Sequence, residues 1–362
     1  MVSVKYDERD KQGVLTFMDE VRQQPSVLRQ FVEKAYSDRE LQSAIVERLQ
    51  GKKRPHIIFT GMGSSLFACY VATKFLQRKG ILALTVESLE LQKMPGSFFS
   101  EDTVVVAVSQ SGESPEVIEL LRMLPKEVLV ISVTNYPKSQ LYCMTELAFQ
   151  IYAGTEYFTS TKTYTNTLAA MLLLAYRIAG CSEEECGDLL SGMERCCGEM
   201  ERMIENEALG RDISEFISDI EFLICVGSGY SYTTACHSEI VVEEAGKIYS
   251  SCYTPAQFIH GPIELIQPGF GTIIYDFDAQ YSAKCDEVRE NVLRYGGKVL
   301  LITNRTDVEQ RENQMVCVIN HEDPVTSILL EIIPLELGID SLCSSRGVAT
   351  GHLARVVKRI AN

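Results

Sequence analysis

Two stretches lying 166 residues apart repeat one pattern. IIFTGMGSSLFACYVATKFL, from Ile57, and FLICVGSGYSYTTACHSEIVVEEAG, from Phe222, each read as an apolar strand, a Gly-x-Gly turn with hydroxyl residues, and a helix. Gly61 pairs with Gly227 and Gly63 with Gly229. Further on, EVLVISVTN ending at Asn135 and KVLLITN ending at Asn304 repeat at an offset of 169. Two matches at nearly equal offsets imply an internal duplication, two copies of one α/β unit.

Within the first copy, strands are expected at His56–Thr60, Ala83–Glu87, Thr103–Val108, Val128–Thr134 and Leu147–Tyr152, with helices between several of them. Such alternation indicates a parallel sheet covered on both faces. Residues 11–50 carry apolar residues at helical spacing, among them Val14, Phe17, Met18 and Val21, with Pro25 expected to restart the run. Thr163–Ala179 is apolar on nearly every side and reads as a helix buried between layers. The organisation expected is a helical lead-in (1–50), a first unit (51–180), a helical connector (181–218), a second unit (219–340) and a C-terminal tail (341–362).

Composition narrows the function classes. A net charge of −15 argues against a nucleic acid partner, because a phosphate backbone would be repelled. No apolar run approaches the ~20 residues that span a bilayer, and MVSVKYDERDKQG lacks the basic and apolar regions of a signal peptide. A cytoplasmic protein with no membrane partner is therefore expected. The twelve cysteines form no CxxC pair, and the five histidines lack HExxH spacing, so neither a metal nor a cofactor is expected. Cys69, Cys225, Cys236 and Cys317 lie in apolar runs and read as small core residues. Neither Gly-x-Gly turn has the third glycine of a dinucleotide fingerprint, which weighs against NAD.

The copies differ where chemistry would sit. After the strand Thr103–Val108 comes Ser109-Gln110-Ser111-Gly112-Glu113-Ser114-Pro115, with Pro115 suited to the first turn of a helix and Ser114 expected as its N-cap. Free N–H groups, a positive helix end and several hydroxyls would meet there, as an anion such as phosphate requires. The matching stretch of the second copy, Ile274-Tyr275-Asp276-Phe277-Asp278-Ala279-Gln280, offers two carboxylates that would repel an anion. The second copy instead carries Glu244, on the same helix side as Ile240, Val241 and Ile248, and His260, on a turn before Gly261-Pro262. An inward carboxylate is costly unless paired or used to move protons, although a partly exposed Glu244 and a structural or solvated His260 are the commoner readings of the residues alone.

Taken together, MDEVRQQP, GMGSS, SQSGES, TSTKTYTNTL, the Glu244 to His260 spacing with HGP, and the tail resemble the double-SIS (sugar isomerase) domain family over about residues 14–360. The likeness is to the isomerase half of glutamine–fructose-6-phosphate aminotransferase and to stand-alone amino-sugar-phosphate deaminases and fructosamine-6-phosphate deglycases. It implies two tandem SIS units of flavodoxin-like sandwich form. It also implies that Ser64, Ser65, Ser109, Gln110, Ser111 and Ser114 hold a sugar phosphate and that Ser160 and Thr161 line the sugar. Glu244 would shuttle a proton between C1 and C2, and His260, contributed by the neighbouring subunit of a homodimer, would assist ring opening.

Two departures bear on the chemistry. The synthase-type isomerase has a lysine where this chain has Val241, and a tail lysine, able to form an imine, where this chain has Arg355, with Lys358 one turn later. An arginine cannot form that imine near neutral pH. Either Lys358 acts through a shifted tail, or the substrate brings its own nitrogen, as in the deaminases and deglycases. No glutaminase domain is expected, since there is no room for one before the first unit and no N-terminal cysteine nucleophile. The function expected is a phosphosugar isomerase-type enzyme acting on an amino- or aminoacyl-sugar 6-phosphate. The rival expectation is a non-catalytic sugar-phosphate sensor that regulates another protein.

Overall fold

The computed structural model describes residues 15–353 and Arg355. Ten strands form two parallel five-stranded sheets. The first contains β1 (His56–Gly61), β2 (Ala83–Glu87), β3 (Thr103–Val108), β4 (Leu129–Thr134) and β5 (Leu147–Gln150), in the order β2-β1-β3-β4-β5. The second contains β6 (Phe222–Gly227), β7 (Tyr249–Tyr253), β8 (Phe270–Asp276), β9 (Lys298–Thr303) and β10 (Gln314–Val318), in the order β10-β9-β8-β6-β7. Read from the other edge, the second order is the first repeated, so the duplication holds at the level of topology. In a sheet of order 2-1-3-4-5 the chain reverses direction between its first and third strands, and ligands bind in the crevice beyond the carboxyl ends there.

The strand centres are continuous runs of buried β-branched residues, as expected where helices cover both faces; Val104, Val105, Val106, Ile57 and Ile273 are wholly buried. The helix Lys162–Ile178 is buried along nearly its whole length between the layers. Cys69, Cys225, Cys236 and Cys317 are core residues, and all twelve cysteines are free thiols. Among the described residues, no helix is long and apolar enough to cross a membrane.

Several local expectations are corrected. Pro25 does not restart the lead-in: the helix Phe17–Ser37 runs through it, capped by a Thr16/Asp19 capping box. Wholly buried Val21 and Leu28 clamp the turns on either side, so packing outweighs the lost backbone bond. Ser64 and Ser65 are not in a turn but in the first turn of the helix Gly63–Arg78. The connector is two helices, Glu183–Glu205 and Glu207–Ile217, and the expected boundary at 340/341 falls inside the helix Ile333–Ser345.

Candidate functional site

The turn after β3 closes on itself. Ser109 Oγ accepts from the Gly112 N–H at 3.1 Å and lies 2.9 Å from Ser114 Oγ, while Ser111 Oγ accepts from the Glu113 N–H at 3.2 Å. Ser114 precedes Pro115 at the start of the helix Pro115–Met123, yet its side chain makes no capping bond. Ser114 is the N-cap residue, as expected, but its hydroxyl pairs with Ser109 and does not bond the helix N–H groups. Gly112 has φ +67°, and a β-carbon there would lie 2.1 Å from Ser139 Oγ, so only glycine fits. The first turn of the helix Gly63–Arg78, with half-buried Ser64 and Ser65, begins just beyond the carboxyl end of β1. Both hydroxyl-bearing segments therefore flank the switch point between β1 and β3. Gln110 Nε2 and Tyr136 Oη are buried atoms there, and the Tyr136 phenol interacts with the Gln110 side chain.

From this turn a hydrogen-bonded path leads to Glu244. Asn135, after β4, donates to the Gly154 carbonyl at 2.6 Å and accepts from the Ala153 N–H at 2.9 Å. The loop that follows β5 is shaped by buried carboxylates. Glu156 accepts from the N–H and hydroxyl groups of Thr161 and Thr163, and Glu20 of the lead-in helix accepts from the Tyr157 and Phe158 N–H groups. Charge-assisted bonds of this number are what make two buried carboxylates tolerable, and they fix the loop's path. Thr161 is wholly buried with its hydroxyl committed to Glu156, so it shapes the loop.

The helix Ser231–Glu244 of the second unit grips the same loop twice, two turns apart. His237, stacked on Tyr164 with ring centroids 3.5 Å apart, donates from Nε2 to the Ser160 carbonyl at 3.2 Å. At the helix end, Glu244 Oε2 accepts the Thr159 hydroxyl at 2.7 Å. Glu244 is half-buried and so belongs neither to the core nor to open solvent. His260 caps the helix Pro255–Ile259 and is exposed; no hydrogen bond or ion pair among the described residues joins it to Glu244. Arg355 is exposed, and Lys358 lies outside the described residues.

Thr159, Tyr136 and His237 were not singled out from sequence. Only for Thr159, one residue before the STK segment, was a signal present.

The second unit's switch point is built on the same plan with opposite content. His56 lies opposite Thr103, and Phe222 opposite Phe270, so strand register makes Asp276 the counterpart of Ser109 and Asp278 that of Ser111. Arg305 donates to Asp276 at 3.0 Å, and Arg78, from the first unit, donates to Asp278 at 2.5 Å while lying 4.4 Å above the Tyr230 ring. Burial raises the Asp276 carboxyl's pKa despite its bonds to Ser282 and Arg305. Ser231, the counterpart of Ser65, donates to the buried Glu331 at 2.9 Å. The 166-residue offset that pairs Gly61 with Gly227 also pairs Arg78 with Glu244. Each residue ends its unit's first helix and reaches across to the other unit.

Residues 51–177 match the family described as SIS domain. Glutamine–fructose-6-phosphate aminotransferase of Thermococcus kodakarensis is 23% identical over 355 residues, covering 96% of this chain and 58% of that protein. Its namesake from Thermotoga maritima is 26% identical over 279 residues, covering 74% of this chain and 46% of that one. The chain thus spans about half the length of the curated relatives it matches. Among solved structures, the C-terminal domain of glucosamine-fructose-6-phosphate aminotransferase from Francisella tularensis superposes with a TM-score of 0.84 at 21% identity, covering 94% of this chain and 99% of that one. Glucosamine-6-phosphate deaminase from Thermotoga maritima gives 0.72 at 18% identity, covering 95% and 99%. These likenesses establish the fold of both units together.

Proposed function

We propose that the protein is an enzyme acting on an amino- or aminoacyl-sugar 6-phosphate. The phosphate lies at the β1/β3 switch point, held by Ser65, Ser109, Gln110, Ser111 and Ser114, with Ser64 beside them. The sugar runs along the loop at Ser160 towards Glu244, with Thr161 shaping that loop from within. The observation that carries this reading is the 2.7 Å bond between Thr159 of the first unit and Glu244 of the second, which brings a half-buried carboxylate to the loop leading from the phosphate turn. A carboxylate held there takes a proton from C1 or C2 of the open-chain sugar and returns it to the neighbouring carbon, through an enediol or an enamine. His260 of a second copy assists ring opening. With Val241 and Arg355 where the synthase-type isomerase has lysines, a substrate that carries its own nitrogen suits this site better than one needing an enzyme imine.

The test is turnover of glucosamine 6-phosphate, fructose 6-phosphate and fructosamine-type 6-phosphates in heavy water, scored for product and for deuterium at C1 or C2. Glu244→Gln should lower turnover by ~10²–10⁴-fold while phosphate binding persists, because a placed carboxylate contributes that much to proton transfer. Full activity in the variant would refute the assignment. Binding without any exchange by the wild-type protein would favour a sensor.

A further inference from the structure

Just past the helix that ends at Glu244, Lys247 adopts φ +56°, a left-handed conformation that a lysine rarely takes and a glycine takes freely. Such outliers persist where the side chain has a task that offsets the backbone cost. The Lys247 ammonium donates to the backbone carbonyl of Glu244 and, at 3.0 Å, to the carbonyl of His352 in the C-terminal tail. Capping a last helix carbonyl is ordinary for a lysine. Reaching 105 residues along the chain to the tail with the same group is not.

The tail's other contacts converge on the same place. At Gly351 its backbone lies against Phe17 of the lead-in helix and Phe158, the neighbour of Thr159. Cys343, in the helix before the tail, donates from Sγ to the Ala245 carbonyl at 3.3 Å. The tail therefore crosses between the loop that bonds the Glu244 carboxylate and the helix end that carries it. We propose that Lys247 is a positioning residue that latches the tail at His352 across the Glu244 end of the site. This rests on the reading of Glu244 as the proton-transfer group, since the latch matters to turnover only if that reading holds.

The test combines amide hydrogen exchange of residues 349–353, read by mass spectrometry on the full chain, with steady-state kinetics on whichever phosphosugar is turned over. Lys247→Met should speed exchange in the tail by ~10-fold and lower kcat by ~10-fold with KM nearly unchanged, as loss of a charge-assisted bond implies. Lys247→Arg should restore both. Lys247→Gly, which suits the left-handed backbone, should loosen the tail equally and serves if the methionine variant does not fold. Tail exchange unchanged in both Lys247→Met and Lys247→Gly overturns the latch. If the wild-type protein turns over no phosphosugar, the proposed function fails and the exchange result still judges the latch.

Discussion

The two switch points share strand order, register and a helix reaching in from the opposite unit, and they differ in charge where Ser109 and Ser111 of the first correspond to Asp276 and Asp278 of the second. In the first, the turn carries the hydroxyls of Ser109 and Ser111, and the incoming helix delivers Glu244 to the neighbouring loop. In the second, Asp276 and Asp278 replace the serines, and Arg305 and the incoming Arg78 neutralise them. Ser231, where the first unit has Ser65, is occupied by Glu331. One crevice is lined by neutral hydroxyls, and the other by carboxylates that two arginines neutralise. The difference teaches that two copies of one fold can carry neutral hydroxyls at one switch point and an inter-unit ion pair at the other, with the corresponding helix end making a hydrogen bond across the units in one case and a salt bridge in the other.

Three perturbations break or sharpen this contrast. The largest effect is expected at Gly112, whose counterpart in the second unit is Ala279. Gly112→Val combines a left-handed backbone with overlap onto Ser139, and should cost about 3–5 kcal/mol in urea unfolding. Next is Glu331, whose pKa burial pushes from the ordinary 4.5 to about 7. The folded protein then keeps a proton that the unfolded chain has already lost, so this group's contribution to stability falls as pH rises from 4.5 to about 7 and levels off above. Glu331→Gln should therefore gain on the wild type by about 2–3 kcal/mol across that window. A constant difference between the two proteins would show that the buried carboxyl does not titrate there. Smallest is Arg78→Met, which leaves Asp278 with 10% of its side chain exposed and without its cation. Partial solvent screening limits the expected loss to about 1–2 kcal/mol in the same unfolding measurement, with no change in turnover.

The strands of the first sheet were legible in sequence because central parallel strands are unbroken β-branched runs, and Thr103–Val108 is a clear case. The contrast between SQSGES and the Asp276-Phe277-Asp278 segment was legible too, since hydroxyls and carboxylates differ in kind. What was not legible depends on pairing between distant residues. Arg78 meets Asp278 across 200 residues, and Thr159 meets Glu244 across 85. No local pattern encodes either. Pro25 failed for the same reason on a smaller scale, as core packing outweighed the local rule. Nor could sequence reveal that Thr161 would be drawn inward, because the Glu156 carboxylate that holds it is identifiable only once buried.

The asymmetry itself is tested by exchanging content between the two crevices. Calorimetric titration of a sugar 6-phosphate into the wild type, Ser111→Asp and Asp278→Ser should give one site per chain. That site should be weakened by ~100-fold or more in Ser111→Asp, where a carboxylate faces the phosphate, and left nearly unchanged in Asp278→Ser. Wild-type affinity in Ser111→Asp, or loss of binding in Asp278→Ser, would contradict the account.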